Sequence, residues 1–514
     1  MALSAISCVG VAIVSIAVYL FLFANGSKIH RNGKPLRRPP NTLPLVGNGI
    51  LFLAARHKLF SWFVKCERQF GYETFRISVP TLPPGVVIND PKNLEYVFKQ
   101  EGIFAKGDFF KARSWDLFGN GIINADGDLW KVQRKAGLHF LNNANLKVLT
   151  ETALPKYLGK SVQALETTGS DSVVDLESVF HELTTQLMGK MAYNMEMHSA
   201  DAFSMAFEYA SGAVGERFQN PLWQISEVFL GAQLRKSIAR VRTFGSAIVS
   251  NAVKQRHETG HEIAEPLDSV SGSLINSLLD SIDDETMVAD AALNYLSAGA
   301  FVILSRYPSF LSVAGRDTTA QALTWAFYLL MRHPWVAQAI RSEISAMELS
   351  PQNVGKPVLL FHPSLLPYTM ATFYETLRLY PPVPFELKQC EKETTLPDGT
   401  YLPKTAVLVW CTWAMNRSKI TWGDDADEFE PGRWLDGNGS LISRSASEYP
   451  VFNGGPRTCL GKKMAEIIAV QVIATLVTRF EFCPVDSGER ISKNSLTLPM
   501  EGGLPCYVKK LPDS

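Results

Sequence analysis

One ten-residue segment near the C-terminus constrains this chain more than any other feature of its sequence. It runs from Phe452 to Gly461 (FNGGPRTCLG), and its Gly and Pro residues favour an irregular loop. An apolar, helix-periodic segment follows at 460–480, so the loop presents Cys459 at a helix start. Backbone N–H groups and the helix dipole there favour a thiolate. The segment therefore predicts a ligand-facing thiolate, although a lone cysteine at such a position is otherwise most often structural.

Five positions of this segment fit the pattern Phe-x-x-Gly-x-Arg-x-Cys-x-Gly, which chance would produce in such a chain roughly once in ten thousand cases. The pattern resembles the haem-binding loop of the cytochrome P450 family, the haem-thiolate monooxygenases. The resemblance implies that Cys459 is the axial ligand of a haem b iron. It also implies that Phe452, Gly455 and Gly461 contact this cofactor, because glycine lets the backbone approach a flat ligand closely.

Three further residues match the family positions that bind the haem propionates. Trp130 and Arg134 are four positions apart, so both project from one face of a helix. The family's Trp-x-x-x-Arg motif contacts the propionates, and indole and guanidinium N–H groups suit a carboxylate. The resemblance therefore assigns Trp130, Arg134 and Arg457 to propionate binding. The alternative for the first two is an ordinary amphipathic surface helix.

A pair of opposite charges, Glu375 and Arg378, lies one helical turn apart just before a Pro-Pro sequence that ends the helix. Such a pair alone is usually a solvated surface pair. The family combines Glu-x-x-Arg with a later arginine in a buried triad, and Arg433 in the segment 429–434 (FEPGRW) matches that arginine. The resemblance implies that these three residues are structural and not catalytic.

The segment 314–319 (AGRDTT) resembles the oxygen-activating motif of the family. In that motif a weakened helical hydrogen bond makes room for dioxygen beside the haem. The resemblance implies that Thr318 donates a hydrogen bond to the bound oxygen and that Asp317 helps to relay protons to it. Two adjacent threonines in a helix are otherwise usually inert.

The sequence just before this motif departs from the family pattern. Residues 294–299 (NYLSAG) already resemble the approach to the motif, but residues 300–315 then intervene and end by repeating Ala-Gly. Without these 16 residues the family helix is uninterrupted, whereas Pro308 would kink a helix that retained them. Our hypothesis is that residues 300–315 are a translated in-frame intron of 48 nucleotides, three per residue. A genuine insertion beside the haem pocket is the alternative.

The N-terminus is predicted to be a membrane anchor. Residues 2–24 carry no charged side chain, and a helix of that length spans the ~30 Å hydrocarbon core of a bilayer. Basic residues follow, and the first acidic residue is Glu67, so the positive-inside rule places the body in the cytosol. We predict a single-pass anchor at 1–26 in the endoplasmic reticulum membrane and a basic, Pro-rich hinge at 27–49. A cleaved signal peptide is the alternative.

The remaining residues, 50–514, are predicted to form a single large haem domain. Helical periodicity prevails, as in 318–332 and 365–380, whereas short strand-like segments such as 74–79 and 406–409 lie near both ends. The sequence therefore predicts a mostly α fold with a small β part, and the resemblance implies the cytochrome P450 fold. The sequence contains no Gly-rich nucleotide-binding loop, so electrons have to come from a separate protein.

The balance of 50 basic and 50 acidic side chains gives no support for nucleic-acid binding. The resemblance instead implies a monooxygenase that inserts one oxygen atom from O2 into a C–H bond of a lipophilic substrate. Its electrons would come from NADPH through NADPH–cytochrome P450 reductase, with cytochrome b5 as a second candidate partner.

Four segments resemble the fatty-acid ω-hydroxylase branch: 117–127, 434–436, 449–452 and 496–504. This resemblance implies a long-chain fatty acid or alkane as the substrate. Two alternatives stay open. One is the same chemistry on another lipophile, such as a secondary metabolite. The other is a catalytically silent haem-binding membrane protein, if residues 300–315 are genuine. The pocket walls are predicted in four segments: 104–115, part of 203–229, 383–387 and 499–504.

Overall fold

The computed structural model describes residues 10–11, 14–16, 18–19, 28–44, 46–79, 82–169, 171–220, 222–258, 270, 272–297, 317–348, 363–493, 495 and 497–512. Most of the predicted anchor at 1–26 lies outside these ranges, as do residues 300–315. No helix of the described ranges combines the length and apolar character needed to cross a bilayer.

Helices dominate the described chain. In chain order they are α1 (Gly49–Phe52), α2 (Arg56–Phe70), α3 (Pro91–Lys99), α4 (Gly107–Phe118), α5 (Gly127–Phe140), α6 (Asn143–Val148), α7 (Leu154–Glu166), α8 (Leu176–Tyr193), α9 (Ala202–Gln219), α10 (Trp223–Leu230), α11 (Ala232–Glu258), α12 (Ser273–Leu279), α13 (Glu285–Ser297), α14 (Asp317–Arg332), α15 (Pro334–Glu348), α16 (Pro367–Leu379), α17 (Thr412–Met415), α18 (Lys419–Trp422) and α19 (Lys462–Arg479).

The strands form three small sheets. They are β1 (His30–Arg31), β2 (Lys34–Pro35), β3 (Phe75–Ile77), β4 (Gly85–Val87), β5 (Phe104–Ala105), β6 (Val173–Asp175), β7 (Glu386–Cys390), β8 (Thr394–Thr395), β9 (Thr400–Leu402), β10 (Val407–Trp410), β11 (Phe480–Pro484) and β12 (Pro505–Lys510). The strand orders are β2-β1-β9-β8, β3-β4-β10-β7-β5 and β11-β12-β6. β4 and β10 pair in parallel, with Gly85 opposite Val407. The predicted mostly α fold with a small β part is confirmed.

Local sequence signals fix several helix ends. Asp90 caps α3 by accepting a hydrogen bond from the Lys92 backbone N–H at 2.8 Å, and Pro91 takes the first helical position, where no N–H is needed. Asp175 caps α8 in the same way, accepting from the Glu177 N–H at 3.1 Å. Asn194 ends α8 in the left-handed conformation that asparagine tolerates.

The core surrounds α19, whose apolar residues are distributed around the whole helix, as is typical of a helix buried on all sides. Residues 467–477 are buried without interruption, and α14, α15 and α16 pack around them. α8 contacts both α13 and α14. The Tyr193 hydroxyl of α8 donates to the Ala292 carbonyl of α13 at 2.9 Å, and the rings of Phe180 and Phe327 lie 5.1 Å apart. The two helices that flank residues 300–315 therefore pack against one common helix.

Candidate active site

A large, mostly apolar cavity of about 520 Å³ lies next to the cysteine loop, which is the segment 452–461. It is lined by side chains from strands that include β7 and from helices that include α2, α4, α5, α8, α9, α13, α14 and α19. Cys459, Thr318 and Tyr295 all lie on its wall, although they are far apart in the sequence. Its charged lining residues are Arg56, Lys106, Arg134, Glu386, Lys388 and Arg457.

The cysteine loop is held in shape by its own backbone. The Cys459 N–H donates to the Phe452 carbonyl at 2.7 Å, which closes the loop on itself. Phe452 ends one 3₁₀ turn (Pro450–Phe452), and a second turn (Gly455–Arg457) follows. The chain then enters α19, so Cys459 lies three residues before its first residue and is exposed to the cavity.

Two glycines of this loop are required by the packing of α3. A Cβ atom at Gly454 would lie 2.2 Å from the Phe98 ring, and one at Gly455 would lie 2.2 Å from the Phe98 carbonyl oxygen. Gly455 also has a positive φ of 62°, which a side chain would strain. The structure thus gives Gly455 a packing role against α3, and its predicted cofactor contact stays a prediction.

Opposing effects act on the Cys459 thiol. The protein that encloses the cavity raises its pKa, because burial disfavours the charged form. The backbone amides of Gly461 and Lys462 at the start of α19 lower that pKa, and so does the nearby Arg134 cation. Burial is the largest effect and the net direction is upward, so these groups offset only part of it, and the predicted thiolate stays a prediction.

The structure brings Trp130, Arg134 and Arg457 together beside the cysteine loop. Arg134 donates to the Thr458 carbonyl at 2.7 Å, and Arg457 donates to Asp126 at 2.9 Å, so α5 and the loop are linked at two points. The centre of the Trp130 ring lies 5.6 Å from the guanidinium carbon of Arg134 and 4.2 Å from that of Arg457. The three predicted propionate-binding residues therefore form one cluster on the cavity wall.

Glu375, Arg378 and Arg433 also meet, away from the cavity lining. Arg378 donates to both Glu375 carboxylate oxygens, at 2.7 and 2.8 Å, and both side chains are fully buried. Arg433 lies 3.4 Å from the same carboxylate. The carboxylate also accepts from the Trp434 indole at 2.9 Å, and Arg378 donates to the carbonyls of residues 416, 426 and 428. A buried charge cluster with all these hydrogen bonds locks α16 to the segment 416–434, and losing one member of such a pair typically costs several kcal/mol.

Of the two predicted oxygen-activating residues, Thr318 lies on the cavity wall. Asp317 begins α14, and its side chain lies outside the part that the structure describes. Tyr295 of α13 lines the same cavity, and its hydroxyl donates to the Gln133 carbonyl of α5 at 2.6 Å. Helices on both sides of residues 300–315 thus contribute to one site.

Comparison with known proteins decides the family. The family model described as Cytochrome P450 matches residues 38–506, nearly the whole chain. The chain belongs to the cytochrome P450 family. It is therefore a haem-dependent monooxygenase that uses O2 and receives electrons from NADPH through a reductase, as the family does. The family membership that the cysteine loop predicted is confirmed, whereas the haem contacts of its individual residues stay predictions.

Individual cytochromes P450 resemble the chain along most of its length. Cytochrome P450 94A1 of Vicia sativa is 28% identical over 495 residues, which cover 92% of this chain and 90% of the relative. Cytochrome P450 monooxygenase cyp1 of Mycosarcoma maydis is 31% identical over 502 residues, or 93% of this chain and 75% of the relative. Cytochrome P450 94B1 of Arabidopsis thaliana is 28% identical over 493 residues, with 92% and 91% covered.

The cavity of this cytochrome P450 fits a haem. Lys388 on β7 lines it and is only 5% exposed, and its ammonium makes no hydrogen bond or salt bridge with other residues that the structure describes. Burial, and then the neighbouring cations Lys106 and Arg457, lower its pKa to about 7, and the carboxylates of Glu386 and Asp126 offset this only in part. A buried ammonium is costly, and a haem carboxylate beside Arg457 would help to neutralise it. At Gly461 an added Cβ would meet only the Cys459 sulfur, at 4.0 Å, so a flat ligand has room.

Three of the four predicted pocket walls are confirmed. Segments 104–115, 203–229 and 383–387 each contribute lining residues, whereas 499–504 contributes none to this cavity. Thr497 lines it instead, held by a hydrogen bond from Gln321 at 3.1 Å, while Met500 and Leu504 are buried in the core. The lining residues of α2 were not predictable from the sequence, because an amphipathic pattern does not show which cavity a helix face will line.

Proposed function

We propose that this cytochrome P450 hydroxylates the terminal carbon of a long-chain fatty acid or alkane. The observation that carries the proposal is that Cys459 and Thr318 line the same mostly apolar cavity. Such a cavity excludes water from the reacting carbon and favours an unbranched alkyl chain through burial of its methylene groups, each worth ~0.8 kcal/mol. The segments that resemble the ω-hydroxylase branch support the same substrate class.

When bound, a haem supplies the oxygen chemistry, namely O–O cleavage and insertion of one oxygen atom into a C–H bond. The residues of this chain hold and orient it. Cys459 would hold the haem iron through its sulfur, and the start of α19 would stabilise the negative charge of the thiolate. The propionates would be bound by Trp130, Arg134, Arg457 and Lys388, and the haem would also contact Phe452 and Gly461.

Protons reach the site through α14 in this proposal. The Thr318 hydroxyl, on the cavity wall, donates a hydrogen bond at the oxygen-binding position and can pass a proton there. Asp317 is adjacent in the sequence and exchanges protons between that hydroxyl and solvent. Both residues are catalytic in this scheme, whereas Glu375, Arg378 and Arg433 stabilise the fold around the cysteine loop.

The substrate is tested by ligand-induced spectral shifts and by turnover. Purified, haem-loaded protein is titrated with dodecanoic acid, dodecane, a monoterpene and a flavonoid, then supplied with NADPH and a reductase. We expect a high-spin shift and a terminally hydroxylated product with the acid or the alkane only. A shift and product with the terpene or flavonoid alone would reject the fatty-acid proposal. Haem incorporation without turnover of any compound would favour the silent haem-binding alternative.

The reductase is proposed to dock where the cysteine loop lies closest to the surface. Lys131 and Lys135 of α5 and Lys463 of α19 are exposed, and both helices contact or continue the loop. An acidic surface on NADPH–cytochrome P450 reductase, or on cytochrome b5, would complement these cations and shorten the path of electrons to the haem.

We propose that the protein is held at the endoplasmic reticulum membrane by residues 1–26 and that residues 50–514 face the cytosol. A second apolar surface supports membrane contact. Four apolar side chains of α10 are 61–80% exposed, which is an unusual concentration of exposed apolar surface: Ile225, Val228, Phe229 and Leu230.

Protease treatment of intact microsomes should digest the body, and removal of residues 1–26 should weaken retention after an alkaline wash. A protease-protected body would contradict this orientation.

A further inference from the structure

The loop between α4 and α5, residues 119–126, forms part of the cavity wall. Ile122 and Ile123 of this loop line the cavity, and Tyr295 of α13 lines it as well. Loops are ordinarily more mobile than the helices that they connect. The shape of this part of the cavity therefore depends on the groups that hold the α4–α5 loop in place.

Asn294 of α13 holds the loop through its side-chain amide. This side chain is fully buried. Its oxygen accepts a hydrogen bond from the Ile123 backbone N–H at 3.1 Å, and its nitrogen donates to the Phe118 carbonyl at 2.8 Å. The nitrogen also donates to the Asp290 carbonyl of the same helix at 2.8 Å, which fixes the orientation of the amide. One amide thus connects both ends of the segment 118–123 to α13.

Asp290, one helical turn before Asn294, holds the same loop. Its carboxylate accepts a hydrogen bond from the Asn120 backbone N–H at 2.9 Å. The loop comes so close to α13 that a Cβ atom at Gly119 would lie 2.1 Å from the Asp290 carboxylate, and one at Gly121 would lie 1.9 Å from the Asn294 amide. The two glycines of the Gly-Asn-Gly sequence at 119–121 are therefore needed for this contact with α13.

The C-terminal part of the α4–α5 loop is bound to the cysteine loop. Arg457 donates to the Ala125 carbonyl at 2.9 Å and to the Asp126 carboxylate at 2.9 Å. Ile122 and Ile123 therefore lie along the chain between a contact with α13 and a contact with the cysteine loop. Because Ile123 is only two residues from Ala125, the two isoleucines belong to the end of the cavity where Cys459 lies.

We propose that Asn294 is a positioning residue for the regioselectivity of hydroxylation, because it fixes the segment of Ile122 and Ile123 against the bound alkyl chain. This inference rests on the proposed function. Methyl C–H bonds are stronger than methylene C–H bonds, so terminal oxidation requires a wall that keeps the internal carbons away from the reacting position. Side chains branched at Cβ have little χ1 freedom and suit such a wall, provided that their backbone is held.

The test measures the ratio of terminal to internal hydroxylation of dodecanoic acid. Haem-loaded, full-length wild type and variants are supplied with the acid, NADPH and a reductase. We expect Asn294→Ala to lower the ratio about tenfold, the factor that corresponds to one lost buried hydrogen bond. Gly121→Ala should lower it as well, because the added methyl group displaces the loop from the Asn294 amide. In the double variant the shortened side chain leaves room for that methyl group, so the ratio should be no lower than in Gly121→Ala alone.

Asn93→Ala is the matched control. Asn93 of α3 is also fully buried and bonded, to Thr74 at 3.1 Å and to the Asp398 N–H at 3.2 Å, but it is not among the residues that line the described cavity. Its replacement should lower the unfolding temperature and leave the product ratio unchanged. The spin-state shift at saturating dodecanoic acid is a second readout that needs no turnover, and it should shrink in Asn294→Ala but not in Asn93→Ala.

The possible results separate the inference from the proposed function. An unchanged ratio in Asn294→Ala and Gly121→Ala, with a terminal product from the wild type, would overturn the inference and leave the proposed function intact. Additive losses in the double variant, or an equal loss in Asn93→Ala, would also overturn it, because they indicate a general loosening of the fold. A wild type that makes no terminal product from dodecanoic acid or dodecane would reject the proposed function, and the inference with it. Should Asn294→Ala not retain haem, the ratio in Gly121→Ala decides.

Discussion

A Cys459→Ser variant is expected to lose the thiolate signature of the carbon monoxide complex and at least about a thousand-fold in turnover, or ~4 kcal/mol of transition-state stabilisation. A serine hydroxyl is not ionised near neutral pH, so the amides of Gly461 and Lys462 would have no anion to stabilise. Electron donation to the haem iron would fall accordingly, and with it O–O cleavage. The measurement is the reduced carbon monoxide difference spectrum together with NADPH-dependent product formation.

Cys483→Ser is the matched control for this experiment. Cys483 lies on β11, is exposed, and does not line the cavity. Its replacement by serine should leave both the spectrum and the turnover as they are in the wild type. Wild-type turnover in Cys459→Ser would contradict the assignment of the axial ligand, whereas loss of both properties in Cys483→Ser would indicate that general instability, and not ligation, is being measured.

Where the placement of a residue depends only on neighbours close in the sequence, that placement was predictable from the sequence. Trp130 and Arg134 are one helical turn apart, and so are Glu375 and Arg378, so helix geometry alone places each pair on one face. The cysteine loop is likewise local, because its glycines and proline lie within ten residues of one another. The mostly helical fold followed from periodicity in the same way.

Where the placement of a residue depends on packing between segments far apart in the sequence, that placement was not predictable. Thr497 reaches the cavity because Gln321, 176 positions away, bonds to it. Arg56 and Lys388 have no local signal that distinguishes them from exposed cations, and their burial follows from how the α2 and β7 segments pack. Gly455 shows a further limit of the sequence. Its predicted role is the close approach of a flat ligand, but only the structure shows that the Phe98 backbone of α3 is the group that an added side chain would meet.

Deleting residues 300–315 is expected to raise turnover by about tenfold or more over the chain as written. Tyr295 and Thr318 both line the cavity, and they are 23 positions apart. At ~100° per residue, 23 residues of continuous helix would put them on roughly opposite faces. Without the 16 residues they are seven apart, about two turns, and share a face. The contacts of α8 with both α13 and α14 also fit a single helix.

The source transcript gives the first measurement. We expect a product 48 nucleotides shorter than the present reading frame between the codons for Leu296 and Ala320, because 16 codons are removed. The deletion protein and the full chain are then compared for haem content, dodecanoate-induced spin shift and NADPH-dependent product. A third variant carries a Gly/Ser segment of equal length in place of residues 300–315, and it should be as inactive as the full chain if interruption of the helix is the cause.

The opposite result has an equally specific meaning. Suppose that the transcript retains the 48 nucleotides and that the full chain turns over dodecanoate faster than the deletion protein. Residues 300–315 would then be a genuine part of the enzyme, and α13 and α14 would be two separate helices that meet at the cavity. Thr318 would in that case owe its position to α8 and to the packing of α14 against α19, and not to continuity with Tyr295. Tyr295 and Thr318 would then not share the face of one continuous helix, whereas the roles proposed for Cys459 and for the propionate-binding cluster would be unaffected.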